Sequence, residues 1–377
     1  MKDSDRHGGP SLQAENKAPD RQGGLPLQPE TPLIQVPEKA PEPLIQVPPA
    51  EPGPRRLTRR ELIQVAATTA AAVGTVGVAA ALTDRKKAGK DEGAAKKLLT
   101  IKDHRIVLPA GSNQMAIVHG ADAAVNAQKA VEALGGMGVF VKPGDKVLIK
   151  PNVGWNRLPE QAANSNPEVV AAVVRMVKAA GASKIWVADV PVNTADRCFD
   201  RSGIKKAAGE AGATLVMPDS INFREVAVGG KLLQSAEVLY PFVEADKIIN
   251  LPLVKQHSLS GATLCMKNWY GALGGHRVRL HQEIHKSIAE LAAMVKPTLT
   301  LLDATRVLTG NGPSGGSLDD VKRLDLLAAS TDEVALDAWG ITLLGVTREV
   351  AAFIGEAEKA GLGNSDYKSL KLVEVGG

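Results

Sequence analysis

Aromatic residues are scarce in this chain of 377 residues: Phe, Trp and Tyr together make up 3% of it. A core without many large rings must be built from Ala, Val, Leu and Ile, which suits helices packed closely on a sheet. Cysteine is nearly absent as well. Cys198 and Cys265 are the two present, with no CxxC and no histidine at zinc-finger spacing, so a cysteine-based zinc module is excluded. Whether the two form a disulfide is open, the plainer reading being two small, partly buried thiols. Nor does the body carry an excess of one charge. The net charge is +4, but residues 1–100 hold 15 Lys/Arg against 12 Asp/Glu, leaving 30 against 29 for the remainder. Nucleic acid is therefore not an expected partner, because its binding rests on uncompensated Lys and Arg.

What is present begins with a hydrophobic content of 44%, ordinary for a soluble globular protein, and enough length for one large domain or two smaller ones. Residues 1–54 contain 12 of the 23 prolines and a duplicated PLIQVP, at 32–37 and 43–48. Such a segment cannot close backbone ladders or bury enough surface to offset its ordering entropy, so a disordered leader is expected. The duplication reads either as an extended recognition peptide or as a spacer.

Thr58-Arg59-Arg60-Glu61-Leu62-Ile63-Gln64 is followed by an uncharged run over 65–82, rich in Ala, Val, Thr and Gly. This pattern is similar to the twin-arginine export signal, in which Ser/Thr-Arg-Arg-x-hydrophobic-hydrophobic-polar precedes a mildly hydrophobic helix. The run is long enough to span a bilayer but weakly apolar for a permanent anchor. A cleavage site near Ala79-Ala80-Ala81 would release a chain starting near Leu82. The resemblance implies the twin-arginine translocase as partner during export. It also implies a location in the periplasm or at the extracytoplasmic membrane face. The expected organisation is leader 1–54, signal 55–82, a Lys/Asp-rich linker 83–100, and an α/β domain over 101–377.

From about residue 113, short β-type runs alternate with helical ones. Strands are expected over 115–118, 146–150, 184–188, 214–217, 247–251, 299–302 and 325–329. Helices are expected over 121–134, 167–180, 204–211, the region after His281, 332–344 and 348–360. Asn166 is the natural N-cap for the second helix, with Pro167 at its first position and Gly181 at its end. The alternation predicts an α/β fold with a mostly parallel sheet and helices on both faces.

In such a sheet ligands bind at the carboxyl ends of the strands. The polar residues that fall there become the candidates. Lys150 and Asn152 follow one strand and open a loop over 151–166 that is long enough to be functional. Asp189 follows another and either binds a ligand or accepts backbone N–H groups in its turn. Lys255, His257, Lys267 and Asn268 follow a third, and Asp303 closes a fourth. A lysine at a strand end can hold a carboxylate or phosphate, and burial can lower its pKa enough for base or Schiff-base chemistry. His281 and His285 are four apart and would share one face of a helix, with His276 one loop upstream. Together they could hold a divalent metal, or else bind an anionic substrate or cap backbone carbonyls. Residues 310–316 form a glycine-rich loop without the GK[ST] of a phosphate-binding loop, and Gly135, Gly136 and Gly138 read as a helix stop.

KVLIKPNVGW at 146–155, NPEVVAAVVRMVKAAGASKIWVAD at 166–189 and KIINLPLVKQHSLSGATLCMKNWYGALGG at 247–275 resemble the family known as domain of unknown function 362. LLDAT, GNGPSGG and STDEVALDAWG, beginning at Leu301, Gly310 and Ser330, follow in the same order. Some members of that family carry a ferredoxin-type domain with four closely spaced cysteines. This chain lacks them, so no iron–sulfur cluster is expected. A looser likeness links such sequences to the nickel-dependent lactate racemase class, as analogy of fold.

The expectation is an exported protein with a site of three parts. Lys267, Asp303 and His257 are the catalytic candidates. Lys150, Asn152, Asn268, Lys255 and Asp189 bind a small-molecule ligand, and His276, His281 and His285 hold a metal. In the enzyme reading Lys267 holds an anion or acts as base, and Asp303 orients a histidine or a metal-bound water. The other reading is a non-catalytic ligand-binding or cofactor-carrier protein that uses the same cleft.

Overall fold

The computed structural model describes residues 98–376. The expected leader (1–54), twin-arginine signal (55–82) and most of the linker (83–100) lie outside the described residues. Among the described residues no helix is long and apolar enough to cross a membrane.

The strands, in chain order, are β1 (Met115–His119), β2 (Lys146–Pro151), β3 (Lys184–Ala188), β4 (Thr214–Val216), β5 (Phe223–Ala227), β6 (Ser235–Leu239), β7 (Lys247–Leu251), β8 (Leu253–His257), β9 (Gly261–Thr263), β10 (Leu299–Leu308), β11 (Val321–Ser330) and β12 (Leu372–Val375). Ten of them make one sheet, ordered β12-β1-β11-β10-β7-β2-β3-β4, with β8 beside β10 and β9 beside β8. The centre, from β10 through β7, β2 and β3 to β4, is parallel. β11 runs antiparallel to both β10 and β1, and β5 and β6 form a separate hairpin. The expected α/β class with a mostly parallel sheet holds.

Every central strand is apolar on both faces because both are covered. Val147 and Ile149 of β2 point one way and Leu148 the other. Ile249 and Ile248 of β7 divide likewise. Helices α1 (Ala123–Ala133), α2 (Met137–Phe140), α3 (Pro167–Ala179), α4 (Ala195–Arg201) and α5 (Ile204–Ala211) supply Ala127, Phe140, Val170, Phe199 and Ile204 to the first layer. On the opposite face, α6 (Pro241–Glu244), α7 (Ile284–Met294), α8 (Glu333–Leu344) and α9 (Phe353–Lys359) contribute Phe242, Ile288, Leu336 and Phe353. Truncating a large one, such as Phe140 or Ile288, to Ala in a closely packed layer costs about 2–5 kcal/mol.

Local chemistry sets the helix ends. The Asn166 side chain accepts the Glu168 N–H at 2.9 Å, Pro167 occupies the first helical position of α3, and Gly181 turns the chain out at φ 88°. A Cβ at Gly181 would also crowd Pro143, at 3.2 Å from its Cα. Asp332 caps α8 by accepting the Ala335 N–H at 3.0 Å.

Two strands run further than their sequence patterns suggest. β10 continues past Asp303 to Leu308, and β11 begins at Val321 rather than near 325. Asp303 does not end its strand because its carboxylate is satisfied within the fold. It accepts the Thr305 N–H and hydroxyl at 2.9 and 2.7 Å and the Asn166 N–H at 3.0 Å. The glycine-rich loop thus joins two antiparallel strands.

Candidate functional site

Three parallel strands deliver polar groups to one place. Lys150 lies near the end of β2, Asn250 near the end of β7, and Asp189 directly after β3; all three are buried. Lys150 Nζ is 2.7 Å from Asp189 Oδ1, and it also donates to Asn268 Oδ1 at 3.0 Å and to the Pro151 carbonyl at 2.9 Å. Asp189 Oδ2 accepts the Val153 N–H at 2.6 Å. Burial pulls the Lys150 amine below its ordinary pKa, and Asp189 opposes that pull. Gly271 makes the close approach possible, since a Cβ there would collide with both Asp189 Oδ1 and Lys150 Nζ.

Beyond Pro252 the chain leaves β7 and re-pairs with β10 as β8, where Asp303 stands opposite Leu253. Lys255 and His257, two apart, project from the same side of this extension. Lys255 Nζ donates to Asn152 Oδ1 at 3.1 Å and to the Ala163 carbonyl at 2.7 Å. Asn152 Nδ2 in turn donates to Asn268 Oδ1 at 2.9 Å. Lys267 sits in the 3-10 segment Met266–Ala272. Its ammonium lies 4.5 Å from the Tyr270 ring centroid and makes no hydrogen bond or ion pair among the described residues. Burial lowers both amines to about 7; for Lys255 the charge of Lys267 adds to the effect, and for Lys267 that of Arg277 does.

The histidine tautomers follow from their backbone partners. His257 Nδ1 accepts the Leu259 and Ser260 N–H groups, at 3.1 and 3.3 Å, so its proton resides on Nε2. Burial, reinforced by Lys267, brings its pKa down to about 2 and keeps the ring neutral. His281 Nδ1 is 3.1 Å from the Val278 carbonyl, which can only accept, so the neutral ring carries its proton there and leaves Nε2 bare. Burial lowers the His281 pKa as well. The two rings stack at 6.2 Å, and Tyr270 packs edge-on against His281 at 5.2 Å.

These groups line a cleft of about 340 Å³, the size of a small-molecule site. Lys255, Lys267 and Arg277 bring positive charge to it, while the lining carboxylate, Asp189, is already paired with Lys150. Arg277 is anchored by donating to the Val190, Tyr270 and Pro191 carbonyls at 2.7, 2.9 and 2.8 Å. Thr263, also in the lining, has a buried hydroxyl oxygen without a hydrogen-bond partner among the described residues. The glycine-rich loop contributes Pro313 to the wall. Its Gly312 N–H is taken by Gln256 Oε1 at 2.8 Å, and Arg157 and Gln161 hold the Ser314 and Gly316 carbonyls at 3.1 and 2.7 Å.

Behind the cleft lies a second cluster, of acids. Asn268 Nδ2 donates to Asn250 Oδ1 at 2.8 Å, and Asn250 Nδ2 donates to Glu333 Oε1 at 2.6 Å. Glu333 also accepts the Thr300 hydroxyl at 3.0 Å and the Trp269 indole N–H at 2.8 Å. One helical turn later, Asp337 accepts the Cys265 and Met266 N–H groups at 2.7 and 3.1 Å. Burial raises Glu333 to about 7 and Asp337 to about 8, against the pull of these hydrogen bonds. Both carboxylates thus fasten the segment that carries Lys267 and Asn268.

The structure brings Lys150, Asn152, Asp189, Lys255, His257, Lys267 and Asn268 together. It adds His281, expected as a metal ligand, to the same cleft. Asp303 belongs elsewhere: it joins β10 to the start of α3 and touches no histidine among the described residues, so the expected orienting role does not hold there. Nor do His276, His281 and His285 converge. α7 starts only at Ile284, so His281 and His285 lie on different elements and lose the shared face that their spacing suggested. His285 stacks on Phe353 at 6.2 Å, and His276 is exposed beside a separate hollow with Glu225 and Glu237. Among the described residues no group of three or more His, Cys, Asp and Glu could hold a metal ion. Cys198 and Cys265 are both free and buried. Asn250, Arg277, Thr263, Glu333 and Asp337 were not singled out in the sequence. The acids could have been: four apart on an otherwise apolar helix, they are the kind of charge that must find a partner indoors.

The sequence model of the family described as "Domain of unknown function (DUF362)" matches residues 147–342, just over half of the chain and all of the cleft. The chain belongs to this family. The DUF362 chain is 33% identical over 222 residues to a thylakoid-associated protein of Synechocystis sp., a match covering 55% of this chain and 65% of that one. It therefore spans a little less than two thirds of that relative. Among solved structures, the lactate racemase apoprotein from Thermoanaerobacterium thermosaccharolyticum aligns with 16% identity and a TM-score of 0.36, over 63% of this chain and 58% of that one. A Thermotoga maritima protein aligns with 11% identity and a TM-score of 0.34, over 60% of each. Likeness at that level says nothing about the reaction.

Proposed function

We propose that this DUF362 protein is an enzyme whose cleft binds a small molecule bearing a carboxylate or phosphate, and that Lys267 exchanges a proton with it. One contrast carries the reading. Of the three lysines here, Lys150 is paired to Asp189 and Lys255 is held by two oxygens, whereas Lys267 has no acceptor among the described residues. An amine buried beside Arg277 with its pKa near 7 is poised to take up or release a proton at neutral pH. Arg277 and Lys255 would attract the anionic group, and the Nε2–H of His257 would donate to an oxygen beside the reacting atom.

A second reading, a non-catalytic binding or carrier protein, is favoured by the saturated hydrogen bonding around Lys150 and Asn268, which makes a rigid, preorganised floor. Calorimetric titration with small carboxylates and phosphates, followed by incubation of each binder in heavy water, separates the two. Deuterium appearing at a carbon of the ligand, and vanishing in Lys267→Met, supports the enzyme. Tight binding without exchange supports the carrier, and no binding by any of them removes both.

We also infer that the chain is exported by the twin-arginine translocase and works in the periplasm or at the extracytoplasmic membrane face. The Thr58–Gln64 pattern and the uncharged run after it support this. Replacing Arg59 and Arg60 by Lys should retain the protein in the cytoplasm. Wild-type export of that double variant would end the proposal.

A further inference from the structure

The cleft is graded from charge to apolar surface along its depth. Its floor is sealed: Lys255 is 2% exposed, Lys267 7% and Asn268 1%. Its mouth is formed by three apolar side chains that remain open to solvent, Val192 at 60%, Leu259 at 59% and Val278 at 77%. They come from three separate segments: the turn after β3, the β8–β9 connection, and the 3-10 stretch Arg277–His281. Single exposed apolar residues are ordinary on a protein surface, but these three line the same cleft as its cations.

We propose that the natural ligand is an amphiphile, an anionic head group on a hydrocarbon tail, with the head on the Lys255, Lys267 and Arg277 floor and the tail along Val192, Leu259 and Val278. This rests on the anion-binding reading of the cleft and adds to it the class of molecule. Charge complementarity points to the direction of entry, because Lys255 and Lys267 are buried and Arg277 is half-buried, whereas the apolar side chains are open to solvent. A fully polar anion would leave the mouth unmatched, and an uncharged lipid would leave the floor unmatched. Covering the three mouth side chains removes apolar surface from water, so affinity rises with tail length until the tail passes the rim.

Two series test this on the full chain by calorimetry: linear carboxylates from acetate to decanoate, and alkyl phosphates of the same lengths. In at least one series the dissociation constant should fall by about fourfold for each methylene over the first few carbons, then level off. Replacing Leu259→Ser and Val278→Ser together should cut the advantage of the longest ligand over the shortest by at least tenfold. Equal affinity for short and long members of both series would overturn the amphiphile while leaving the anion site intact. A length dependence that is the same in the double variant would overturn it too, by placing the tail elsewhere. Failure of every carboxylate and phosphate to bind would remove the anion reading and this inference with it.

Discussion

Two clusters of buried charge sit back to back in this molecule, and they are built on opposite plans. The acids, Glu333 and Asp337, have their oxygens occupied by Asn250, Thr300, Trp269 and the backbone of Cys265 and Met266. The bases, Lys255 and Lys267, line a cleft, and Lys267 has no acceptor among the described residues. A buried charge whose hydrogen bonds are complete holds the fold in one arrangement, and one that lacks them is held ready for something that arrives. The contrast teaches where to look for chemistry: toward the unsatisfied side.

The comparison breaks most visibly at its hinge, the Lys150–Asp189 pair between the clusters. Lys150→Met strands a buried carboxylate and should cost about 3–5 kcal/mol in urea denaturation. Gly271→Ala, which pushes a methyl group into the same pair, should cost nearly as much. On the acidic side, Asp337→Ala leaves two buried N–H groups unmet and should cost about 2–3 kcal/mol in the same measurement. On the basic side the outcome inverts. Lys267→Met should leave stability unchanged or slightly higher, because it removes a buried charge that has no ion pair among the described residues, while weakening anion binding at least tenfold.

The pH dependence sharpens the same contrast. Glu333 and Asp337 have folded pKa values of about 7 and 8, above their ordinary values of 4.5 and 3.8. The folded state therefore binds more protons than the unfolded one in that window, and their contribution to stability is lost as pH rises through 7–8. Lys255 and Lys267 are lowered from 10.5 to about 7, so there the unfolded state binds more protons and stability recovers between pH 7 and 10.5. Together the two clusters should place a stability minimum near pH 7–8 in a pH series of denaturation curves. Glu333→Gln should flatten its acid limb and Lys267→Met its alkaline limb. Anion affinity should fall above pH 7 as both amines lose their charge. The smallest effect belongs to His285→Leu, where the ring only packs on Phe353: a stability change within about 0.5 kcal/mol and no change in anion binding.

The frame was legible because its signals are local. β7 and α5 match their expected ranges, and the Asn166-Pro167 start and Gly181 stop of α3 are written in three residues. Asp303 misled because a polar residue after an apolar run looks like a strand end, and nothing nearby announces that Asn166 will satisfy it from 137 positions away. The histidine spacing misled for a related reason: HxxxH defines a face only if one helix contains both, and a 3-10 turn ends between His281 and α7. Gathering Lys150, Asp189, Lys255 and Lys267 depended on the strand order, which spacing along the chain does not encode. Arg277 escaped notice because its guanidinium is fixed by backbone carbonyls, a role that any surface arginine could conceal.

Pro252 carries one more consequence. Where β7 ends, it redirects the chain into β8, whose Val254 belongs to the packed core while Lys255 and His257 line the cleft, so one short strand serves both the fold and the site.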